Sequence, residues 1–144
     1  MEFDKIKTVF FLGVGGIGMS ALARYFLAQN KLVFGYDRTK SKLCQELQEE
    51  GITITYEDAI DFINKHKLEP KHCLCVYTPA LPKELNLIQA LKANGFSLLK
   101  RAEVLGLISK TKTCLAVAGT HGKTSTSAIL AHIMASSKFG SSAF

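Results

Sequence analysis

Apolar runs of strand length alternate with stretches of helical spacing along the chain. The run IKTVFFLGV, residues 6–14, predicts a buried strand that ends in glycines. Residues 16–30 carry Met19, Leu22, Ala23, Phe26 and Leu27 at helical spacing. KLVFGYD at 31–37 reads as a second strand, and SKLCQELQEEG at 41–51 as an amphipathic helix ended by Gly51. ITITY at 52–56 predicts a short strand, and EDAIDFINKH at 57–66 a helix with acidic residues in its first turn. HCLCVY at 72–77 predicts a fourth strand, closed by the proline-containing loop TPALP. A helix over 83–95, a brief strand FSLLK and a helix over 101–109 follow. The pattern ends with a strand over 112–119 and a helix over 123–135.

This order implies an α/β fold: a Rossmann-like, doubly wound parallel sheet with helices on both faces. Such sheets bind ligands at the carboxyl ends of their strands. Those ends carry GVGGIGMS, GYDRT, YTPALP and GTHGKTS. The polar stretch SKTKT, 109–113, is the one candidate boundary, and it divides the chain into 1–110 and 111–144.

Composition narrows the class without choosing a function. With 47% hydrophobic and 21% charged residues the chain has a globular profile. Its net charge of +6 is spread along the sequence rather than gathered in a block, which reads as a solvated basic surface. Cys44, Cys73, Cys75 and Cys114 show no CxxC spacing and no zinc-finger partner, so they read as buried free thiols of a reducing compartment. No signal peptide pattern opens the chain and no apolar stretch reaches membrane-spanning length, so the expectation is a cytoplasmic protein.

The first loop, Gly13-Val14-Gly15-Gly16-Ile17-Gly18, is a GxGxxG between a strand and a helix. In that setting Gly13 allows a tight turn, Gly15 lets the backbone approach a diphosphate, and Gly18 permits close helix–strand packing. Free N–H groups at the helix start would bind phosphate oxygens, with the Ser20 hydroxyl beside them. Asp37, at the end of the second strand, is the acidic residue expected to meet ribose hydroxyls. The motif alone does not choose between NAD, FAD and a nucleotide sugar.

The second loop, GTHGKTS at 119–125, also joins a strand to a helix. Lys123 would reach terminal phosphates and Thr124 would ligate Mg²⁺. The common spacing asks for a glycine at Val117; the first glycine is instead Gly119, so the loop is a shortened variant. His121 is most simply a loop residue beside phosphate. A hydride-transfer enzyme has no use for this second loop, whereas a ligase or kinase holding a phosphorylated substrate and ATP does.

Four stretches in order, GVGGIGMSALA (13–23), GYDRT (35–39), YTPALP (77–82) with KRAEVLG (100–106), and VAGTHGKTS (117–125), resemble the Mur ligases of peptidoglycan synthesis. Within that family, GGIGMSALA and RAEVLG favour the branch that attaches L-alanine. The resemblance implies a whole UDP-sugar domain over 1–110, followed by the first strand, loop and helix of an ATPase domain over 111–144. It also implies that the chain is a fragment of a longer, three-domain protein, able to bind and inactive alone.

The implied substrates are UDP-N-acetylmuramate, L-alanine and ATP, with Mg²⁺, and no nucleic acid or membrane partner. ATP would phosphorylate the lactyl carboxylate; the amine of L-alanine would attack the acyl phosphate; an amide and phosphate would leave. By the same resemblance Gly13, Gly15, Gly16, Ile17, Gly18, Met19 and Ser20 hold the UDP diphosphate, and Asp37 and Arg38 sit by ribose and uracil. Thr78, Ala80 and Leu81 line the opposite wall. Arg101 and Glu103 lie toward the muramoyl end, although a helix-start charge pair explains them too. Gly119, Thr120, His121, Gly122, Lys123, Thr124 and Ser125 take ATP; Lys123 and Thr124 are the catalytic pair and Thr124 the metal ligand. The further Mg²⁺ and amino-acid ligands are expected beyond residue 144. One departure concerns the base: many family members carry a histidine shortly after the third strand, where this chain has Glu57 and Asp58.

Three other readings compete with this one. A recycling ligase that joins a tripeptide to the same UDP-sugar shares both loops. An NAD-binding module is permitted by Asp37 but leaves GTHGKT without a role. A nucleic-acid-binding domain would use the charge but shows no motif. The strand expected at 112–119 would need sheet partners, and without them it would dock elsewhere, pair with another chain or fray.

Overall fold

A computed structural model describes residues 5–82, 84–137, 142 and 143. The chain divides into two compact units, Met1–Gly106 and Leu107–Phe144. In order, the first elements are β1 (Thr8–Leu12), α1 (Ile17–Ala28), β2 (Leu32–Tyr36), α2 (Lys42–Glu49), β3 (Thr53–Thr55) and α3 (Asp61–Lys65). They are followed by β4 (Cys73–Tyr77), α4 (Asn86–Ala93), β5 (Ser97–Lys100), α5 (Arg101–Thr111) and α6 (Lys123–Ser136).

The five strands form one sheet in the order β3-β2-β1-β4-β5. Every pairing is parallel, with Phe10 opposite both Phe34 and Cys75. The chain winds outward from β1 to β3, crosses back, and continues outward through β4 and β5. The switch point therefore lies between β1 and β4, where loops leaving the two strands diverge.

Alternation along β1 sends side chains to both faces of the sheet. Phe10 and Leu12 join a core cluster with Cys73, Cys75, Ile63, Leu87 and Leu91, which brings α3 and α4 onto one face. The rings of Phe10 and Phe62 stack at 5.6 Å. Phe11 instead meets Phe26 of α1, with ring centroids 6.2 Å apart. Val9, Phe10, Phe11 and Leu12 are all fully buried, as a central parallel strand covered on both sides requires.

The helices begin and end for identifiable reasons. Ser41 caps α2, its hydroxyl accepting from the Cys44 N–H at 3.2 Å. α3 is shorter than the helix expected over 57–66, because Glu57 N–H turns back to the Thr55 hydroxyl and Asp58 is drawn away to another element. α4 starts at Asn86, and Lys83, where its helix was expected to begin, lies outside the described residues.

The strand expected over 112–119 is not formed. Residues 113–119 pair with no strand among the described residues, and their side chains are largely exposed. The apolar run is there, but a strand exists only as a member of a ladder. The helix after it is present as α6, with no buried residue. One cysteine departs from the expected burial: Cys44, Cys73 and Cys75 are buried, whereas Cys114 is exposed because its segment pairs with no strand among the described residues. No helix among the described residues is long and apolar enough to cross a membrane.

An ion pair ties α1 to the end of α2. Arg24 Nε donates to both Glu50 carboxylate oxygens at 3.0 and 2.8 Å, and Nη2 to Oε1 at 2.6 Å. The hydrogen bonds from Arg24 hold the Glu50 carboxyl below its ordinary value. A lowered folded-state value stabilises the native chain above the unfolded value, near pH 4.5, and that stabilisation is lost as pH falls through the lowered one. Both side chains are more than a third exposed, so the contribution is small, about 1 kcal/mol at most. Glu50→Gln is expected to lower the urea midpoint slightly at pH 7, with the difference from the parent chain vanishing toward pH 3. Urea titrations at the two pH values measure it.

Candidate functional site

The loop leaving β1 is fixed by three backbone hydrogen bonds. Gly13 and Val14 N–H both donate to the Tyr36 carbonyl, at 2.8 and 3.1 Å, and Gly16 N–H donates to Gly13 O at 3.3 Å. Gly13 has φ +84°, a left-handed turn that suits glycine. A side chain there would also press on Thr78 Cγ2 at 3.0 Å and Leu81 Cδ1 at 3.6 Å. The loops after β1 and β4 thus meet at the switch point. Ala80 N–H approaches the Thr78 hydroxyl at 3.5 Å and Leu81 N–H donates to Thr78 O at 3.2 Å, which closes the second loop into a turn.

Gly15 N–H donates to Asp37 Oδ2 at 2.8 Å, and Thr39 N–H to Asp37 Oδ1 at 3.0 Å. The carboxylate expected to face a ribose therefore first holds the glycine loop and the turn into α2. A Cβ at Gly15 would overlap Asp37 Oδ2 and Cys44 Sγ, each at 2.8 Å. Arg38 lies exposed beside this junction. Gly16 differs from its neighbours: its φ is −73°, and a Cβ there meets nothing closer than 3.6 Å.

Helix α1 begins at the loop with Gly16 as its cap, with no acidic residue in its first turn. Met19 and Ser20 N–H donate to Gly16 O. The N–H groups of Ile17 and Gly18 have no acceptor among the described residues. They are the orphan donors of a helix start, and they suit an anion. The side chains sort differently: Ile17 is 85% exposed at the loop, while Met19 and Ser20 are buried. The Ser20 hydroxyl donates to Ile17 O at 2.9 Å, turned into its own helix.

At the end of β5, Arg101 lies against α1, its guanidinium over Gly18. Glu103 Oε2 accepts the Lys100 N–H at 2.6 Å and so caps its own helix. Asp58, which the sequence offers as a first-turn acid of the helix expected over 57–66, accepts instead from Asn86 and Leu87 N–H, both at 2.8 Å. It caps α4 from 28 residues away in sequence. An aspartate, asparagine or serine immediately before a helix signals such a cap; one on a different loop gives no local sign. Tyr36 lies within the field of Asp58 and Asp37; burial first, then these carboxylates, raise its phenol above the ordinary value.

The second loop belongs to the second unit. Gly122 caps α6 with φ +73°, a left-handed conformation. Lys123 Nζ donates to Gly119 O at 2.7 Å and lies 3.4 Å from Thr120 O, so the ammonium is drawn over its own loop. The N–H groups of Lys123, Thr124 and Ser125 have no acceptor among the described residues. Thr120, His121, Thr124 and Ser125 are exposed. No group of three His, Cys, Asp or Glu side chains that could hold a metal is assembled among the described residues. Thr124 offers one hard oxygen, fitted to complete the shell of a phosphate-bound Mg²⁺ and not to hold the ion alone.

Fold and loops together define a Rossmann-like α/β domain with its glycine loop at the sheet's switch point, followed by a second glycine loop that opens α6. The chain belongs to the Mur ligase family: the pattern described as "Mur ligase family, catalytic domain" matches residues 8–113. Over all 144 residues it is 49% identical to the UDP-N-acetylmuramate–L-alanine ligase of Parabacteroides distasonis, and it spans 31% of that protein's length. The crystal structure of UDP-N-acetylmuramate-alanine ligase MurC from Thermotoga maritima superposes with a TM-score of 0.75 at 27% identity, covering 88% of this chain and 29% of that one. A murein peptide ligase from Psychrobacter arcticus gives 0.77 at 26% identity, covering 89% of this chain and 26% of that one.

Asp58→Ala is expected to leave two N–H groups of α4 without their acceptor and to cost about 1–2 kcal/mol of stability. Asp58→Asn, which keeps one acceptor oxygen, should recover part of it. Urea unfolding followed by tyrosine fluorescence measures both.

Proposed function

We propose that this chain is the UDP-sugar-binding part, with the opening of the ATP-binding part, of a ligase that joins L-alanine to UDP-N-acetylmuramate in peptidoglycan synthesis. The observation that carries the reading is 49% identity, along the whole chain, to a ligase of that name. Residues 1–110 are assigned to the sugar nucleotide and 111–144 to the start of the ATPase domain. The chain spans less than a third of such a relative, so these residues supply binding, and turnover in the cytoplasm needs the remainder.

In this reading the free N–H groups of Ile17 and Gly18 receive the diphosphate, with Gly13, Gly15 and Gly16 keeping side chains out of its way. Asp37 and Arg38 face ribose and uracil, and Thr78, Ala80 and Leu81 form the opposite wall. Arg101 and Glu103 are assigned toward the muramoyl end. The backbone of 119–125 receives ATP phosphates, Lys123 lends its positive charge to the phosphoryl group being transferred, and Thr124 contributes an oxygen to Mg²⁺. When bound, Mg²⁺ would supply positive charge to neutralise the phosphates. Phosphorylation of the lactyl carboxylate, then attack by the amine of L-alanine, yields the amide, ADP and phosphate.

Calorimetric titration of the 144-residue chain with UDP-N-acetylmuramate, NAD and ADP–Mg²⁺ tests the reading. The UDP-sugar is expected to bind and NAD to give no heat. Gly16→Ala adds a methyl group that the chain itself accommodates, and it should weaken the UDP-sugar about tenfold while leaving the urea midpoint in place. Binding of NAD without binding of the UDP-sugar overturns the assignment.

A further inference from the structure

The third glycine of a GxGxxG loop is ordinarily explained by close packing of helix on strand. Position 18 has a different neighbour. Gly18 lies in the first turn of α1 with φ outside the left-handed region, so its backbone does not ask for glycine. A Cβ built there would lie 2.6 Å from Nη1, 3.0 Å from Cζ and 3.2 Å from Nε of Arg101. All three nearest atoms belong to one guanidinium, contributed from the start of α5. The missing side chain is the space in which that guanidinium rests against α1.

The charges make this placement unusual. Arg101 is half-buried and makes no hydrogen bond or ion pair with any residue of the described chain. Glu103, the nearest acid along its helix, is engaged with the Lys100 N–H instead. The first turn of α1 holds no acid, and its Ile17 and Gly18 N–H groups are without acceptors among the described residues. A cation beside the positive end of a helix is repelled, and a guanidinium partly removed from water without a counter-charge is costly. One anion between the two relieves both. The planar fork of arginine matches phosphate oxygens two at a time.

We propose that Arg101 and the first turn of α1 together grip the diphosphate of the sugar nucleotide, and that position 18 is glycine in order to admit the guanidinium. The proposal rests on the UDP-sugar reading of this site and moves Arg101 from the muramoyl end to the diphosphate.

The test titrates the 144-residue chain with UDP by calorimetry and with uridine by NMR. Arg101→Ala should bind UDP about tenfold more weakly and uridine as the parent does, and Arg101→Lys should recover only part of the loss. Gly18→Ala should also weaken UDP, yet without lowering the urea midpoint, since alanine is the better helix former. In the Arg101→Ala background, Gly18→Ala should cause no further loss. Parent-like UDP binding by Arg101→Ala overturns the proposal while leaving the nucleotide site intact. A Gly18→Ala chain whose urea midpoint falls equally in both backgrounds overturns it too, because position 18 would then serve packing. A parent chain that binds UDP no better than uridine overturns the diphosphate reading itself.

Discussion

One carboxylate organises the carboxyl edge of this sheet. Asp37, the first residue past β2, accepts the N–H of Gly15 from the loop after β1 and the N–H of Thr39 from the turn into α2. Hydrogen bonds to a charged acceptor are stronger than neutral ones, and these two reach both neighbours of a single strand end. Together with the Tyr36 carbonyl, which takes the N–H groups of Gly13 and Val14, they bind the glycine loop to β2 along most of its length. The donors left over are those of Ile17 and Gly18, at the start of α1. The loop presents them because its other amides are already engaged, Gly13 and Val14 with the Tyr36 carbonyl, Gly15 with Asp37 and Gly16 with the carbonyl of Gly13.

Much of this was legible in the sequence. β1 is a continuous apolar run because both its faces are covered, and α1 shows its helical period plainly, so element type and order followed from pattern. The parallel order and the meeting of the β1 and β4 loops followed from connection rules. The stretch at 112–119 misled because an apolar run reports only that burial would suit it, and pairing depends on other strands. α3 came out short because Asp58 leaves its own segment to cap α4, a long-range contact that no local period encodes.

The site was legible in outline and not in its internal bonds. Spacing identified Gly13, Gly15, Gly18 and Asp37, but a motif names residues without naming their partners. Asp37 proved to be tied to the loop backbone, and the Ser20 hydroxyl turned to Ile17 O. Glu103 serves its own helix start, and among the described residues it makes no ion pair with Arg101. Lys123 illustrates the same point in the second loop, where its ammonium is satisfied by the carbonyls of Gly119 and Thr120. In each case the residue type was informative and the geometry decided what the group is free to do.

The glycines of the first loop are shaped by side chains far from them in sequence: Gly13 by Thr78 and Leu81, Gly15 by Asp37 and Cys44, Gly18 by Arg101. Each is the imprint of a particular neighbour, and the motif is better regarded as a set of pairs than as a string. As the sequence drifts, a change in one member of a pair is felt by the other: a methyl group gained at 15 presses on the side chains at 37 and 44, and one gained at 18 displaces the guanidinium at 101. Inheritance at this edge of the sheet therefore runs across strands and not along the chain.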